Sequence, residues 1–385
     1  MMCIRFPAAM IRYERLGKNW SQEGLCDGVC AVSYLSKIEQ GKAEPSPEIL
    51  RGLMERLGVE WIDNPRSKTL VQEMEEALFS LDHEAKDRLL AEVSAQRASL
   101  LHGPHMLDLL LLLRLLGEES EPEIPLSAFR DCFTPHQCAL WLLGEGRPED
   151  ALALLPNAYV WLESGAQLYR QGQYALAVER LMRAASLAAE EGRARVMLHA
   201  RTLLGNCHSD QFDLSAMLAH YQAATRLANA LGETEMVADI RYNIAATRLA
   251  LGEAEEAYAH FAAVEHPCAM DLHKLAVCLE KLDRKEEALL AIRRAEQAEQ
   301  DYPNARTDMP SHEWTLRMCA LVRYRLEHPA YLKEAAYGEQ LLETFQRMRE
   351  ELPHGFVLFH LPWVEEWYIA SRQYKQAYEL RKQFS

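Results

Sequence analysis

Apolar residues recur three and four positions apart along nearly the whole chain, while two-residue hairpin turns between alternating Val, Ile and Thr runs do not occur. That spacing follows the period of the α-helix, so the pattern predicts an all-α protein. Leu70, Met74, Leu78 and Leu81 share one face and Leu89, Val93 and Leu100 another, which predicts two amphipathic helices over residues 66 to 101, as a connector or a dimer surface. Met106 to Leu116 is almost continuously apolar but contains Asp108 and Arg114, and it is far shorter than the roughly 20 residues of a membrane span. A buried helix is expected there. Pro45, Pro47 and Asn64-Pro65 mark breaks, and Asp301 to Pro310 reads as a loop.

A longer period lies on top of the helical one. Small residues fall at Gly165, Gly205 and Ala245, and bulky ones at Leu181, Tyr221 and Phe261, each step being 40 residues. Ala177, Met217 and Ala257 precede the bulky positions by four, and Ala184, Ala224 and Val264 follow them by three. Ala276, Ala288, Ile292 and Ala295 repeat the internal spacing after a shorter step of 31. The pattern describes a helix pair in which a small residue lets the second helix approach and a bulky side chain fills the groove. These spacings resemble the tetratricopeptide repeat, which implies a right-handed superhelix with a concave inner face. Looser units are expected over 104 to 156 (Trp141, Gly144, Ala151) and 312 to 385 (Trp314, Ala335, Tyr368, Ala377).

With 385 residues, 49% hydrophobic and 26% charged, the chain is long enough for two or three ordinary units and should fold throughout. Its net charge of −15 excludes a protein that coats nucleic acid with its whole surface. Residues 1 to 60 contain eight Lys or Arg and eight Asp or Glu, so that segment is neutral and the negative excess lies beyond it. Any nucleic-acid contact is therefore local. The nine cysteines are odd in number and scattered, which fits a reduced, cytoplasmic setting. Cys26 and Cys30 have no second pair at zinc-finger spacing, so no metal is expected. No secretory leader is legible, because Pro7 and the charged Arg5, Arg12, Glu14 and Arg15 interrupt the start.

The neutral N-terminal segment contains a helix-turn-helix signal between Trp20 and Lys42. Ser21 is a good N-cap, Gln22 and Glu23 open a short helix, Asp27-Gly28 tolerate a turn, and a second helix begins near Ala31. Ile11, Leu25, Val29, Leu35, Ile38, Ile49 and Leu53 supply an apolar set for a five-helix domain, and Arg15 is placed to pair with Glu39 as a structural brace. On this reading Val32, Ser33 and Lys37 reach base edges from the second helix, Lys37 toward guanine acceptors and Val32 toward a thymine methyl. Gln22 would hold a phosphate or a neighbouring base. Lys18, Ser36 and Lys42 are the phosphate candidates, and Tyr34 could join either set or simply pack.

Residues 8 to 60 resemble the phage-repressor, or Xre, class. A reader of this class joined to such repeats resembles the RRNPP family of peptide-pheromone regulators, with the short turn around Cys30 nearest to PlcR-like members among its PlcR-, Rgg- and NprR-like branches. The resemblance covers nearly the whole chain and implies a cytoplasmic quorum-sensing regulator. In it a homodimer binds double-stranded DNA at a palindromic operator, and a short signalling peptide binds the concave face of the repeats. Asn206 and Asn243 match the family's habit of clamping a peptide backbone with inner-helix Asn, whose amide both donates and accepts. Arg201, Tyr242, His273 and Lys281 lie on the same or neighbouring helices and are added to the candidate peptide groove from their placement alone. The domain layout read here is 1 to 63 for DNA binding, 64 to 103 as a helical linker and 104 to 385 for sensing and dimerisation.

No His-Glu-x-x-His, phosphate loop, dinucleotide Gly pattern or nucleophile elbow is present, so neither an enzyme nor a cofactor is expected. No membrane partner is expected either. The alternative function is a repeat scaffold for a protein partner such as a response regulator.

Overall fold

The computed structural model describes residues 5–118, 125–298 and 310–384. Cys3 and all of the expected loop from Asp301 except Pro310 lie outside those residues. The described residues form helices and contain no strand. They divide into two compact units, one of residues up to 167 with 179–200, the other of 168–178 with 201 onward.

The first unit opens with α1 (Arg5–Gly17), α2 (Gln22–Cys26), α3 (Val32–Glu39) and α4 (Pro47–Leu57). Ser21 caps α2 by accepting the Gly24 N–H at 2.9 Å, and Ser46 caps α4, where Pro47 occupies the first turn. Gly28 takes φ 73° in the turn between α2 and α3, a conformation that favours glycine. Ile11, Leu25, Leu35, Ile38 and Leu53 are fully buried where these helices meet. Val29 and Ile49 from the expected apolar set pack at its margin, half-buried. Two helices follow as expected, α5 (Pro65–Ser80) and α6 (His83–Ala95), with a short α7 (Arg97–Leu100). Leu81 is not on the α5 face. It ends the helix in the left-handed conformation (φ 54°), and Asp82 then caps α6 by accepting the Ala85 N–H. Arg66 braces the pair through Glu73 at 2.6 Å and Glu92 at 2.7 Å.

Next comes α8 (Met106–Leu115), the apolar run, with Leu107 and Leu109 to Leu113 buried while Arg114 reaches out to Glu145. The remaining helices of this part are α9 (Pro135–Gly144) and α10 (Pro148–Ala151). No helix among the described residues is long and apolar enough to cross a membrane.

The repeat region runs as helix pairs: α11 (Ala158–Arg170) with α12 (Tyr174–Glu191), α13 (Ala194–Asp210) with α14 (Leu214–Leu231), α15 (Thr234–Ala250) with α16 (Ala254–Phe261), and α17 (Ala269–Lys281) with α18 (Lys285–Gln297). The small and bulky positions of the 40-residue period face each other across these pairs. A methyl group added at Gly165 would lie 2.6 Å from Leu181 Cγ, and one at Gly205 only 2.3 Å from Tyr221 Cδ1. Leu181, Tyr221, Phe261 and Ile292 are all buried, as are the four residues one turn earlier, Ala177, Met217, Ala257 and Ala288. The second unit ends with α19 (His312–Glu327), α20 (Ala335–Glu351), α21 (His354–Ala370) and α22 (Tyr374–Gln383). Within it Gly338 lies against Trp367, 2.0 Å from where its missing Cβ would stand to ring carbon Cζ2, so α20 and α21 touch almost backbone to ring.

Candidate functional site

The helix-turn-helix is held by a charge brace in its interior. Arg15 on α1 donates through Nε and Nη2 to the two carboxylate oxygens of Glu39 at the end of α3, at 2.6 and 2.8 Å, and through Nη1 to the Trp20 carbonyl at 2.8 Å. Both side chains are nearly covered, 10% and 4% exposed. Burial pushes the Glu39 carboxyl up, but hydrogen bonds from Arg15 and Gln22 outweigh it and hold the group below the usual glutamate range. The Gln22 bond, 2.8 Å from Nε2 to Glu39 Oε2, spends one of its two amide N–H groups inside the domain. Gln22 therefore joins α2 to α3 at the position expected to hold a phosphate. Tyr34, half-buried, donates to the Glu44 carbonyl at 2.8 Å and anchors the loop after α3, which is its packing alternative.

Against this frame one face of α3 is open. Ala31, Val32, Ser33 and Lys37 are exposed, and Val32 presents its apolar side chain at 42% exposure. Ala31 caps α3 without a side-chain hydrogen bond. Ser36 is half-buried and accepts from Gln40 at 3.1 Å, whereas Lys18 and Lys42 are exposed. Sequence reasoning missed Arg56 of α4, which donates to the Asp27 and Gly24 carbonyls at 2.8 and 3.0 Å and closes the free C-terminal end of α2. Cys26 is buried and Cys30 half-buried beside it.

In the second unit the two Asn residues come together. Asn206 Oδ1 accepts from the Tyr221 hydroxyl at 2.6 Å and from Asn243 Nδ2 at 3.4 Å, so the bulky repeat residue also orients the polar one. Ser209 and Thr247 extend this strip with a 2.5 Å hydroxyl pair, and Arg201 lies 3.3 Å from His220, which stacks on His208. Tyr242 instead turns its ring against Phe261 and is 6% exposed. Lys281 is exposed at the end of α17. His273 is fully buried in a separate cluster with Phe359 and His360 of α21.

Two further groups were not legible. Asp210 accepts from the Tyr174 hydroxyl at 2.9 Å and from Tyr169, and burial raises its carboxyl to about 6 despite those bonds. Lys274 sits next to His273 on α17, and burial lowers its ammonium to about 7. Helical periodicity puts both on polar-looking positions; only the tertiary contacts bury Lys274 and half-bury Asp210.

This arrangement defines an all-helical protein in which a helix-turn-helix precedes a helical repeat region. Residues 11–63 match the helix-turn-helix family HTH_3, the Xre type. Among solved structures, aspartyl phosphate phosphatase F from Bacillus subtilis is similar over 99% of this chain and 92% of its own, with a TM-score of 0.50 at 12% identity. PlcR of Bacillus thuringiensis, in complex with the peptide PapR7 and DNA, is matched over 76% of this chain and 94% of its own at 14% identity, with a TM-score of 0.31. No curated protein matches the sequence significantly. The helix-turn-helix match agrees with the reader expected over residues 8 to 60, and the likeness to the phosphatase is one of fold.

Proposed function

We propose that the protein is a cytoplasmic, non-enzymatic transcription regulator whose output is the helix-turn-helix and whose input is a short peptide bound by the repeats. The observation that carries the DNA reading is the open face of α3, where Val32, Ser33 and Lys37 are exposed while Arg15 and Glu39 hold the helix rigidly against α1. Base readout needs side chains that reach outward from an immobile helix, and this geometry supplies both. Lys18, Ser36 and Lys42 provide phosphate contacts, and Gln22 acts chiefly by positioning Glu39 and α3. The neutral charge of the first 60 residues makes a monomer a weak binder, which supports a homodimer on a palindromic operator.

For the input, Asn206 and Asn243 share one polar strip with Tyr221, Ser209 and Thr247. An amide pair of this kind can take both the C=O and the N–H of an extended peptide unit, and Arg201 of α13 is assigned to the same groove. Lys281 is assigned to the same sensing region, and Tyr242 and His273, both buried, belong to its packing. In this reading residues 1–63 bind DNA, 64–103 connect, and 104–385 sense peptide and dimerise, as in quorum sensing. The test is a selection of DNA fragments from a random library by the full-length protein, repeated with the peptide encoded by any small reading frame found beside its gene. A recovered inverted repeat whose occupancy responds to that peptide supports the proposal; recovery of no preferred sequence sinks it.

The second reading is a scaffold for a protein partner, favoured by the likeness of fold that spans 99% of the chain to aspartyl phosphate phosphatase F. Asn206→Ala combined with Asn243→Ala separates the two. Loss of a protein partner with an intact peptide response favours the scaffold.

A further inference from the structure

α17 carries His273 and Lys274 side by side, 0% and 2% exposed. The Lys274 Nζ lies 3.1 Å from the centre of the Phe359 ring and 5.9 Å from that of Phe356, both on α21. His273 stacks at 6.0 Å on His360, also of α21. Neither ring nitrogen of His273 has a hydrogen-bond partner among the described residues, nor has Nε2 of His360, whose Nδ1 is 2.8 Å from the Phe356 carbonyl. Such buried, unpaired polar atoms are uncommon and mark a site that lacks something.

The titratable groups around this point are few. Along α17 there is Cys278; from α19 comes Arg325, and from α21 His360. Arg325 is already neutralised by Glu280 at 2.6 and 2.5 Å, hydrogen-bonded to Tyr337 of α20, and seated 3.6 Å over the Trp363 ring. Burial holds both histidines neutral, His360 at about 3, and brings Lys274 down to about 7. Lys274 is thus a buried amine on the edge of losing its proton, facing an aromatic ring where a carboxylate would ordinarily hold it charged.

We propose that Lys274 and His273 form a receiving site for a single carboxylate of the peptide ligand, which takes the position held by the Phe359 ring when the site is shut. This rests on the peptide-sensing reading above. One ammonium between neutral imidazoles, walled by Phe356, Phe359 and Trp363, balances one negative charge in low dielectric and disfavours a dianion such as sulfate. Pro362 lies inside α21 three residues beyond Phe359 and has no N–H to give to the Leu358 carbonyl, so the helix is one hydrogen bond short beside the ring that has to move.

The test uses full-length protein with ¹³C-labelled lysine, following the Lys274 signal (assigned by its absence in Lys274→Met) through a pH titration. The probe is sodium acetate, against sodium chloride and sodium sulfate at equal ionic strength. Acetate should raise the Lys274 pKa by about one pH unit or more and speed hydrogen exchange in residues 354 to 361, while chloride and sulfate do neither and Lys274→Met abolishes the exchange response. An unchanged pKa in acetate, an equal effect of sulfate, unchanged exchange, or a persisting response in the Met variant would each overturn the site. Acetate binding needs neither peptide nor DNA, so its failure leaves the peptide-sensing reading to be judged by the Asn206 and Asn243 substitutions.

Discussion

Gly205 lies directly against the ring of Tyr221, so close that an added methyl carbon would stand 2.3 Å from Cδ1 and Cε1, and the hydroxyl at the far end of that ring orients Asn206. A packing contact and a candidate ligand-binding amide are therefore one unit. Gly205→Ala must push the ring or separate α13 from α14. We expect a loss of about 1 to 3 kcal/mol, the usual range for overpacking a filled core. Thermal melting monitored by circular dichroism checks it. An unchanged melting temperature would mean the helices separate at no cost.

Removing one partner of the Arg15–Glu39 brace leaves the other covered and unpaired. Arg15→Ala should cost about 3 to 5 kcal/mol, and Glu39→Gln less, because an amide still accepts from Arg15. The pH dependence has a definite sign. The folded-state pKa of Glu39 lies below its ordinary 4.5, so this stabilisation is present above that value and lost as pH falls through the lowered folded value. Melting curves between neutral and acid pH should therefore be flatter for Glu39→Gln than for the wild type.

Asp210 runs the opposite way. Its folded pKa of about 6 exceeds the ordinary 3.8, so the folded state holds the extra proton, and ionisation on going to neutral pH destabilises it. Asp210→Asn should raise the melting temperature above pH 6 and have progressively less effect as pH falls toward 4. An asparagine variant less stable at pH 7.5 than the wild type would show that the charged form is the one the Tyr169 and Tyr174 hydroxyls sustain.

The open face of α3 separates two kinds of lysine. Lys37→Ala should cost roughly 1 to 3 kcal/mol at a specific site and relax base preference there. Lys42→Ala should weaken all sequences alike and flatten the salt dependence. Mobility shifts on matched and scrambled duplexes at two salt concentrations distinguish them, and equal behaviour of the two variants would count against this orientation of α3.

The helical repeats and the reader were legible because each rests on local regularity. Gly165, Gly205 and Ala245 announced their partners at a fixed offset, and Ser21, Gly28 and the Arg15–Glu39 spacing announced a turn between two helices. The polar residues were harder to read, since a helix shows every side chain on its surface until something packs there. Tyr242 and His273 looked like groove residues on the same grounds as Asn206, yet Phe261 covers one and α21 the other. Gln22 looked free to meet DNA and is tied to Glu39.

The sequence by itself determined the all-helical class, the helix-turn-helix segment and the pairing of small with bulky residues, since these depend on contacts between residues close along the chain. The tertiary structure alone decided that Lys274 is buried over Phe359, that Asp210 sits among tyrosine hydroxyls and that Arg325 is neutralised by Glu280. Burial and charge balance are set by what arrives from distant helices, and no local period encodes which side chain will arrive.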